Sequence, residues 1–328
     1  MRILITGGAG FIGSHLCEKL IKKKEIKSLL VLDNLEDGEK KNLKHLKSKK
    51  IKLQKKNIKN FRSILPSFKN VDVVVHLAAL SDIVPSINDP KNYINTNIIG
   101  TMNVLEAMRF HDVKKIVYSA SSSCYGIPKN YPTKENNKID TRYPYSFSKN
   151  IAEQLIQHWS KVYNINFISL RLFNVYGTRS RTHGAYGAAL GVFLRQKIAN
   201  QPFTVVGNGN QKRDFIYVSD VCEAFYKAIK SKKKNFILNI GSGKPQSVNT
   251  LLKIIGGKKV FIPKRPGEPN ITHADIKKAK KILKWRPKIS LKEGVNKVVE
   301  NIDYWKNAPL WTPKNISIAT KNWFKYLK

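Results

Sequence analysis

Acidic residues are scarce in this chain. Only 22 of its 328 residues are Asp or Glu, against 60 Lys or Arg, a formal net charge of +38. Cysteine is scarcer: Cys17, Cys124 and Cys222 stand too far apart for a disulfide framework or for paired metal ligands. No metal site is expected, and reduced thiols suit a cytoplasmic protein. No apolar run approaches the roughly 20 residues of a membrane span, and Val71–Leu80 is far shorter. No charged-then-apolar leader precedes the strand-like start Ile3–Thr6, so no signal peptide is expected. Low-complexity tracts and internal repeats are absent. With 41% hydrophobic residues the chain has material for a sizeable core.

The surplus of positive charge raises the question of a polyanion partner. Only eleven of the sixty basic residues are Arg, and the Lys residues fall in short runs over the whole length (Lys22–Lys24, Lys55–Lys56, Lys232–Lys234, Lys277–Lys278). A nucleic-acid surface would concentrate the charge and interleave aromatics. Neither nucleic acid nor membrane is expected as a partner, although the field favours an anionic small molecule.

The first half alternates short β-branched runs with amphipathic stretches. Ile3–Thr6, Leu29–Leu32, Ile51–Gln54, Asp72–His76, Lys115–Ser119 and Asn166–Arg171 read as strands, and 12–23, 91–110 and 146–163 as helices. This βαβα order predicts an α/β fold, a Rossmann doubly wound parallel sheet over 1–171. Beyond 172 the pattern loosens around Gly184, Gly187, Gly191, Pro202, Gly207 and Gly209, which suits a smaller C-terminal substrate-binding lobe over 172–328. Elements near 214–240, including a strand at Phe236–Ile240, are expected to return to the main sheet.

After the first strand comes Thr6-Gly7-Gly8-Ala9-Gly10-Phe11-Ile12-Gly13, which leads into a helix. Gly7, Gly10 and Gly13 suit a tight turn, close approach to a pyrophosphate and close helix packing. The helix start offers free N–H groups to the phosphates. Asp33 closes the second strand twenty residues later. An acid there hydrogen-bonds ribose hydroxyls and repels a 2′-phosphate, so NAD is expected rather than NADP. Tyr145 and Lys149 in Tyr145-Ser-Phe-Ser-Lys149 share a helix face. Ser121, in Ser119-Ala-Ser-Ser-Ser-Cys-Tyr-Gly126, follows the fifth strand and should point into the crevice beyond the strand ends. A phenol of pKa about 10 is a poor base at neutral pH; a nearby ammonium favours its phenolate and makes it a usable acid/base.

Together with Asp33-Asn34-Leu35 and His76-Leu77-Ala78-Ala79, these motifs resemble the extended short-chain dehydrogenase/reductase family, and within it the UDP-glucose and UDP-N-acetylglucosamine 4-epimerases. The resemblance spans roughly residues 1–305. It implies NAD as cofactor, held by the glycine turn with Phe11 and Ile12, by Asp33 and Asn34, by Asn57 and Ile58, and by Leu77, Ala78, Ala79 and Asn97. At position 57 relatives usually carry Asp for the adenine amino group, and an Asn carbonyl can accept the same bond. Ser121, Tyr145 and Lys149 are implied as the catalytic set, Tyr145 and Lys149 also touching the cofactor. Ser122, Ser123, Asn174, Arg213, Arg265, Glu268 and Thr272 are implied at the substrate, the two arginines gripping the diphosphate. The resemblance also implies a homodimer built on helices 91–110 and 146–163, and a place in polysaccharide biosynthesis.

Related dehydratases and decarboxylases carry a carboxylate three residues before the glycine that ends the strand loop; here that position is Ser123. The expected reaction is therefore inversion at carbon 4 of UDP-glucose through a 4-keto intermediate, with Tyr145 taking the hydroxyl proton. Thr272 stands where a small residue leaves space for a 2-acetamido group, so UDP-N-acetylglucosamine is expected to enter too. Pro85 stands where glucuronate-specific relatives often carry a basic residue, and Cys124 reads as packing. His183 reads as a substrate-loop contact or a bystander. The alternatives are another nucleotide-sugar enzyme of this family, a UDP-glucuronate 4-epimerase or a dehydratase, or a non-catalytic NAD- or polyanion-binding protein.

Overall fold

The computed structural model describes residues 1–180 and 189–327. The strand-forming runs of the first half make β1 (Arg2–Thr6), β2 (Ser28–Asp33), β3 (Ile51–Lys55), β4 (Val73–His76), β5 (Lys115–Ser121) and β6 (Asn166–Leu172). With β11 (Phe236–Ile240) they build one parallel sheet in the order β11-β6-β5-β4-β1-β2-β3. Apolar side chains on both faces of a strand demand cover on both sides. Ile3 and Ile5 of β1 pack with α1 (Phe11–Ile21) and α8 (Val218–Lys230), while Leu4 and Val74 pack with α5 (Gly100–Phe110) and α6 (Pro144–Tyr163). The strand order reverses between β1 and β4, and a crevice opens there beyond the carboxyl ends of the strands.

Short helices α2 (Phe61–Ile64), α3 (Ile83–Asn88) and α4 (Pro90–Tyr93) lead toward α5. The expected helix 91–110 is not α-helical throughout. Ile94–Ile99 forms a π-turn between α4 and α5, and Asn97 within it reaches back to donate to Leu80 O (3.0 Å) and Ser148 Oγ (2.9 Å) and to accept from Leu80 N (2.8 Å). A wider turn of this kind re-aims a side chain that regular spacing would leave elsewhere.

The remaining elements are β7 (Val175–Tyr176), α7 (Ala189–Ile198), β8 (Phe203–Val206), β9 (Lys212–Arg213), β10 (Ile216–Tyr217), β12 (Gln246–Ser247), α9 (Val248–Ile255), β13 (Lys259–Ile262), α10 (Lys277–Leu283) and α11 (Leu291–Val299), then α12 (Pro313–Ala319) and α13 (Lys321–Tyr326). Of the elements expected to return to the main sheet, β11 does, along β6, and α8 packs beside α1. β10 does not: it is two residues long and pairs with β7 outside the sheet. Among the described residues no helix is long and apolar enough to cross a membrane, and no group of three His, Cys, Asp or Glu could hold a metal ion.

Candidate active site

At the end of β1 the backbone must turn sharply to feed α1. Gly7, at φ +73°, donates its N–H to Leu32 O (2.8 Å), and a Cβ there would stand 2.7 Å from Ala78 N. A Cβ on Gly13 would stand 2.3 Å from Gly7 O, so the first turn of α1 can lie against the loop only without a side chain. Gly10 caps α1 with no side-chain hydrogen bond, which leaves the first N–H groups of an eleven-residue helix facing the cavity. Asp33 ends β2 almost buried and accepts from Ala9 N and Leu35 N, both 2.9 Å. Burial raises its pKa and the two N–H bonds oppose that rise.

These groups line a cavity of about 600 Å³. Phe11, Ile12, Asn34, Asn57, Ile58, Leu77, Ala78 and Ala79 line it with the three glycines and Asp33. Asn57 Oδ1 already accepts from Lys59 N (2.9 Å) and keeps a second lone pair. Asn97 does not line the cavity; it is buried and holds the Leu80 backbone, so it acts on the wall from behind. A side-chain-free cradle, an uncapped helix start and a carboxylate at the second strand end together fit the pyrophosphate and ribose of NAD.

Ser121 closes β5, and Tyr145 lies in the first turn of α6, with Pro144 starting that helix. Ser121 Oγ is 2.8 Å from Ser123 Oγ, and both Ser121 and Tyr145 line the cavity. Burial pushes the Tyr145 phenol up to about 12, although the Ser121 hydroxyl opposes it. Lys149 sits one turn on, almost buried, with Nζ 4.3 Å from the centroid of the Tyr118 ring. Burial brings its ammonium down to about 7, against a smaller upward pull from Glu153. The structure thus departs from one expectation. In the protein by itself the neighbouring ammonium does not set the phenol's ionisation; desolvation does, and it favours the neutral form of both groups.

The same cavity is also lined by Ser122, Ser123, Asn174, Arg213, Arg265, Glu268 and Thr272. Arg213, on β9, donates from Nη2 to Glu268 Oε1 (3.0 Å), and Arg265 Nη1 lies 3.9 Å from Glu268 Oε2. One carboxylate therefore draws two guanidinium groups together, a fork suited to a diphosphate. Thr272 Oγ1 donates to Asn174 Oδ1 (2.8 Å) and accepts from Asp214 N (3.0 Å), so its hydroxyl is tied into the wall.

Cys124 is buried in the core, and burial pushes its thiol up to about 12, in keeping with a packing residue. Pro85 lies in α3 and is not part of the lining. His183 lies outside the described residues. Sequence reasoning missed Arg179, Tyr143, Tyr304, Ile316 and Trp323, all of which line the cavity. Arg179, at φ +59°, donates to Glu18 Oε2 (2.8 Å) across the gap to α1. No local pattern marks that pairing. Tyr143 could have been found, two residues before Tyr145.

A sequence-family profile described as GDP-mannose 4,6 dehydratase matches residues 4–298. A Methanocaldococcus jannaschii protein carrying the provisional name UDP-glucose 4-epimerase is 40% identical over 304 residues, covering 90% of this chain and 97% of its own. The UDP-glucose 4-epimerase of Thermotoga maritima, solved with UDP-glucose, superposes with a TM-score of 0.86 at 32% identity, covering 92% of this chain and 99% of that one. The UDP-glucuronic acid 4-epimerase of Bacillus cereus, solved with UDP-glucuronic acid and NAD, gives 0.86 at 30%, with the same coverage.

Proposed function

The chain belongs to the UDP-sugar 4-epimerases of the extended short-chain dehydrogenase/reductase family, NAD-dependent isomerases, and on that premise we propose that it interconverts UDP-glucose and UDP-galactose and also admits the N-acetylated pair. The observation that carries the reading is that Ser121, Tyr145 and Lys149 share one cavity with the glycine turn and the paired arginines. Bound NAD supplies reversible two-electron oxidation at carbon 4 of the sugar. Gly7, Gly10 and Gly13 with the start of α1 hold its pyrophosphate, and Asp33 its adenine ribose.

With NAD bound, the Tyr145 phenolate is favoured by the cationic nicotinamide and the Lys149 ammonium, and its Oη then takes the proton of the carbon-4 hydroxyl while Ser121 shares that oxygen. Lys149 supports the phenolate before that transfer, and the phenol so formed returns the proton when the 4-keto group is reduced. Arg213 and Arg265 hold the diphosphate, so the 4-keto sugar can turn over about this anchor and be reduced on its other face. With serines at 122 and 123, no carboxylate stands where a dehydratase would need one. The side chain of Thr272 is small and tied to Asn174, which supports room for a 2-acetamido group. Exposed Ile99, Phe110, Phe147 and Val162 on and beside α5 and α6 support a homodimer through these helices.

The test is direct. Purified protein incubated with UDP-glucose, and separately with UDP-N-acetylglucosamine, is expected to yield the galacto epimers. Tyr145→Phe is expected to lose at least about a hundredfold in kcat while still releasing NAD on denaturation. Full activity of that variant would refute the assignment.

A further inference from the structure

The match to the family profile ends at residue 298, and each relative named above is covered almost completely while this chain is not. The stretch beyond is not a loose tail. Arg195 Nε donates to Ala308 O (2.9 Å), and buried Gln196 donates to Trp311 O (2.7 Å) and to Thr204 Oγ1 (2.9 Å), a cavity residue. Thr312 then caps α12 by accepting from Asn315 N, and Ile316 turns into the cavity wall. At the other end Asn322 donates to Asn88 Oδ1 (2.9 Å), and Leu327 packs, as Ile83 and Ile87 of α3 do, against the cluster of Val84, Tyr143 and Trp323. Residues 308–327 therefore cross as a strap from α7 to α3.

Trp323 sits where the strap meets the site. It is 2% exposed, and its indole N–H donates to Pro266 O (2.8 Å). The guanidinium carbon of Arg265 lies 5.7 Å from its ring centroid. It also packs with Tyr143, 5.3 Å between centroids, whose hydroxyl donates to Gly267 O (2.9 Å). The two aromatics thus pin the backbone on both sides of Pro266–Gly267, and one of them also presents its ring to the side chain just before. A tryptophan present only to fill the core would still need a partner for its indole N–H, but not a guanidinium over its ring.

We infer that the C-terminal strap is part of the substrate site and that Trp323 is a positioning residue for Arg265, presetting its guanidinium for the diphosphate. The physical basis is preorganisation. A free arginine side chain loses rotamer freedom on gripping an anion, and an aromatic face that already restrains it removes part of that cost. The inference rests on the proposed reading of this cavity as a UDP-sugar site.

The experiment measures UDP binding by titration calorimetry to full-length protein, with melting temperature and NAD content recorded for each variant. Trp323→Ala is expected to raise the Kd for UDP about tenfold, with NAD content unchanged. Trp323→Phe, which keeps a ring but loses the bond to Pro266, is expected to raise it about threefold and to carry the test should Trp323→Ala fail to fold. Added to Arg265→Ala, Trp323→Ala is expected to cost less than about twofold more, because its partner is already gone. In steady state, KM for UDP-glucose should rise in Trp323→Phe while kcat changes little. Folded variants that bind UDP as the parent does, or a Trp323 effect undiminished by Arg265→Ala, would overturn the inference and leave the reading of the site intact. A parent protein unable to bind UDP would overturn both.

Discussion

His76 stands in the His-Leu-Ala-Ala motif beside the cavity but takes no part in its chemistry. It is fully enclosed at the end of β4, with Nδ1 2.7 Å from Thr6 Oγ1 and Nε2 2.9 Å from Thr101 Oγ1. Thr6 Oγ1 in turn accepts from Ala78 N (3.2 Å), so the ring helps to fix the loop that carries Leu77–Ala79. Burial, helped by the Lys149 charge, brings its pKa from 6.5 to about 3. The native state therefore stays unprotonated while the unfolded chain takes up a proton below 6.5. Nothing is lost above that pH; stability falls as pH drops from 6.5 toward 3, by up to about 1.4 kcal/mol per pH unit from this group. Urea unfolding midpoints measured from pH 7 to 4.5 should decline, and the decline should be shallower in His76→Gln. The motif was legible in the sequence. That its histidine is an internal strut was not, because both partners lie at least 25 residues away.

At the level of elements, the glycine turn and α1 are the part most open to local reasoning. Strand, turn and helix start follow within thirteen residues, and Gly13 answers a clash inside the turn itself, whereas the Cβ that Gly7 lacks would meet the distant Ala78 backbone. Gly13→Ala should push the turn and α1 apart, since its Cβ would lie 2.3 Å from Gly7 O. The nucleotide released on denaturation is expected to fall to below about a tenth of the parent's. The π-turn at Ile94–Ile99 is the opposite case. Apolar spacing over 91–110 fits an α-helix equally well, and what distinguishes the two is the reach of Asn97 to Leu80 and Ser148. A side-chain hydrogen bond to a distant loop leaves no periodic trace. The short strand β10 escaped for a related reason. Two residues carry no alternation, so whether they join the main sheet is decided by what lies beside them.

For the whole molecule, the scattered lysines describe a charged surface, and the exposed apolar residues of α5 and α6 describe a face. The protein is expected to sediment as a dimer, and Ile99→Glu combined with Val162→Glu to sediment as a monomer. Unchanged sedimentation of the double variant would remove this face as the interface. The sequence by itself determined the parallel sheet, the glycine turn with its acidic partner, and the Ser-Tyr-Lys set. Each depends on contacts within one strand-loop-helix unit or on residues spaced by one helical turn, and such spacing is written directly in residue order. Only the tertiary structure decided that Asn97 works from behind the wall, that burial rather than the Lys149 charge governs the Tyr145 phenol, that Arg213 reaches Glu268, and that Trp323 joins the cavity wall. These are meetings of side chains tens to hundreds of residues apart, and desolvation is a property of the enclosed space, which exists only once the chain has closed around it.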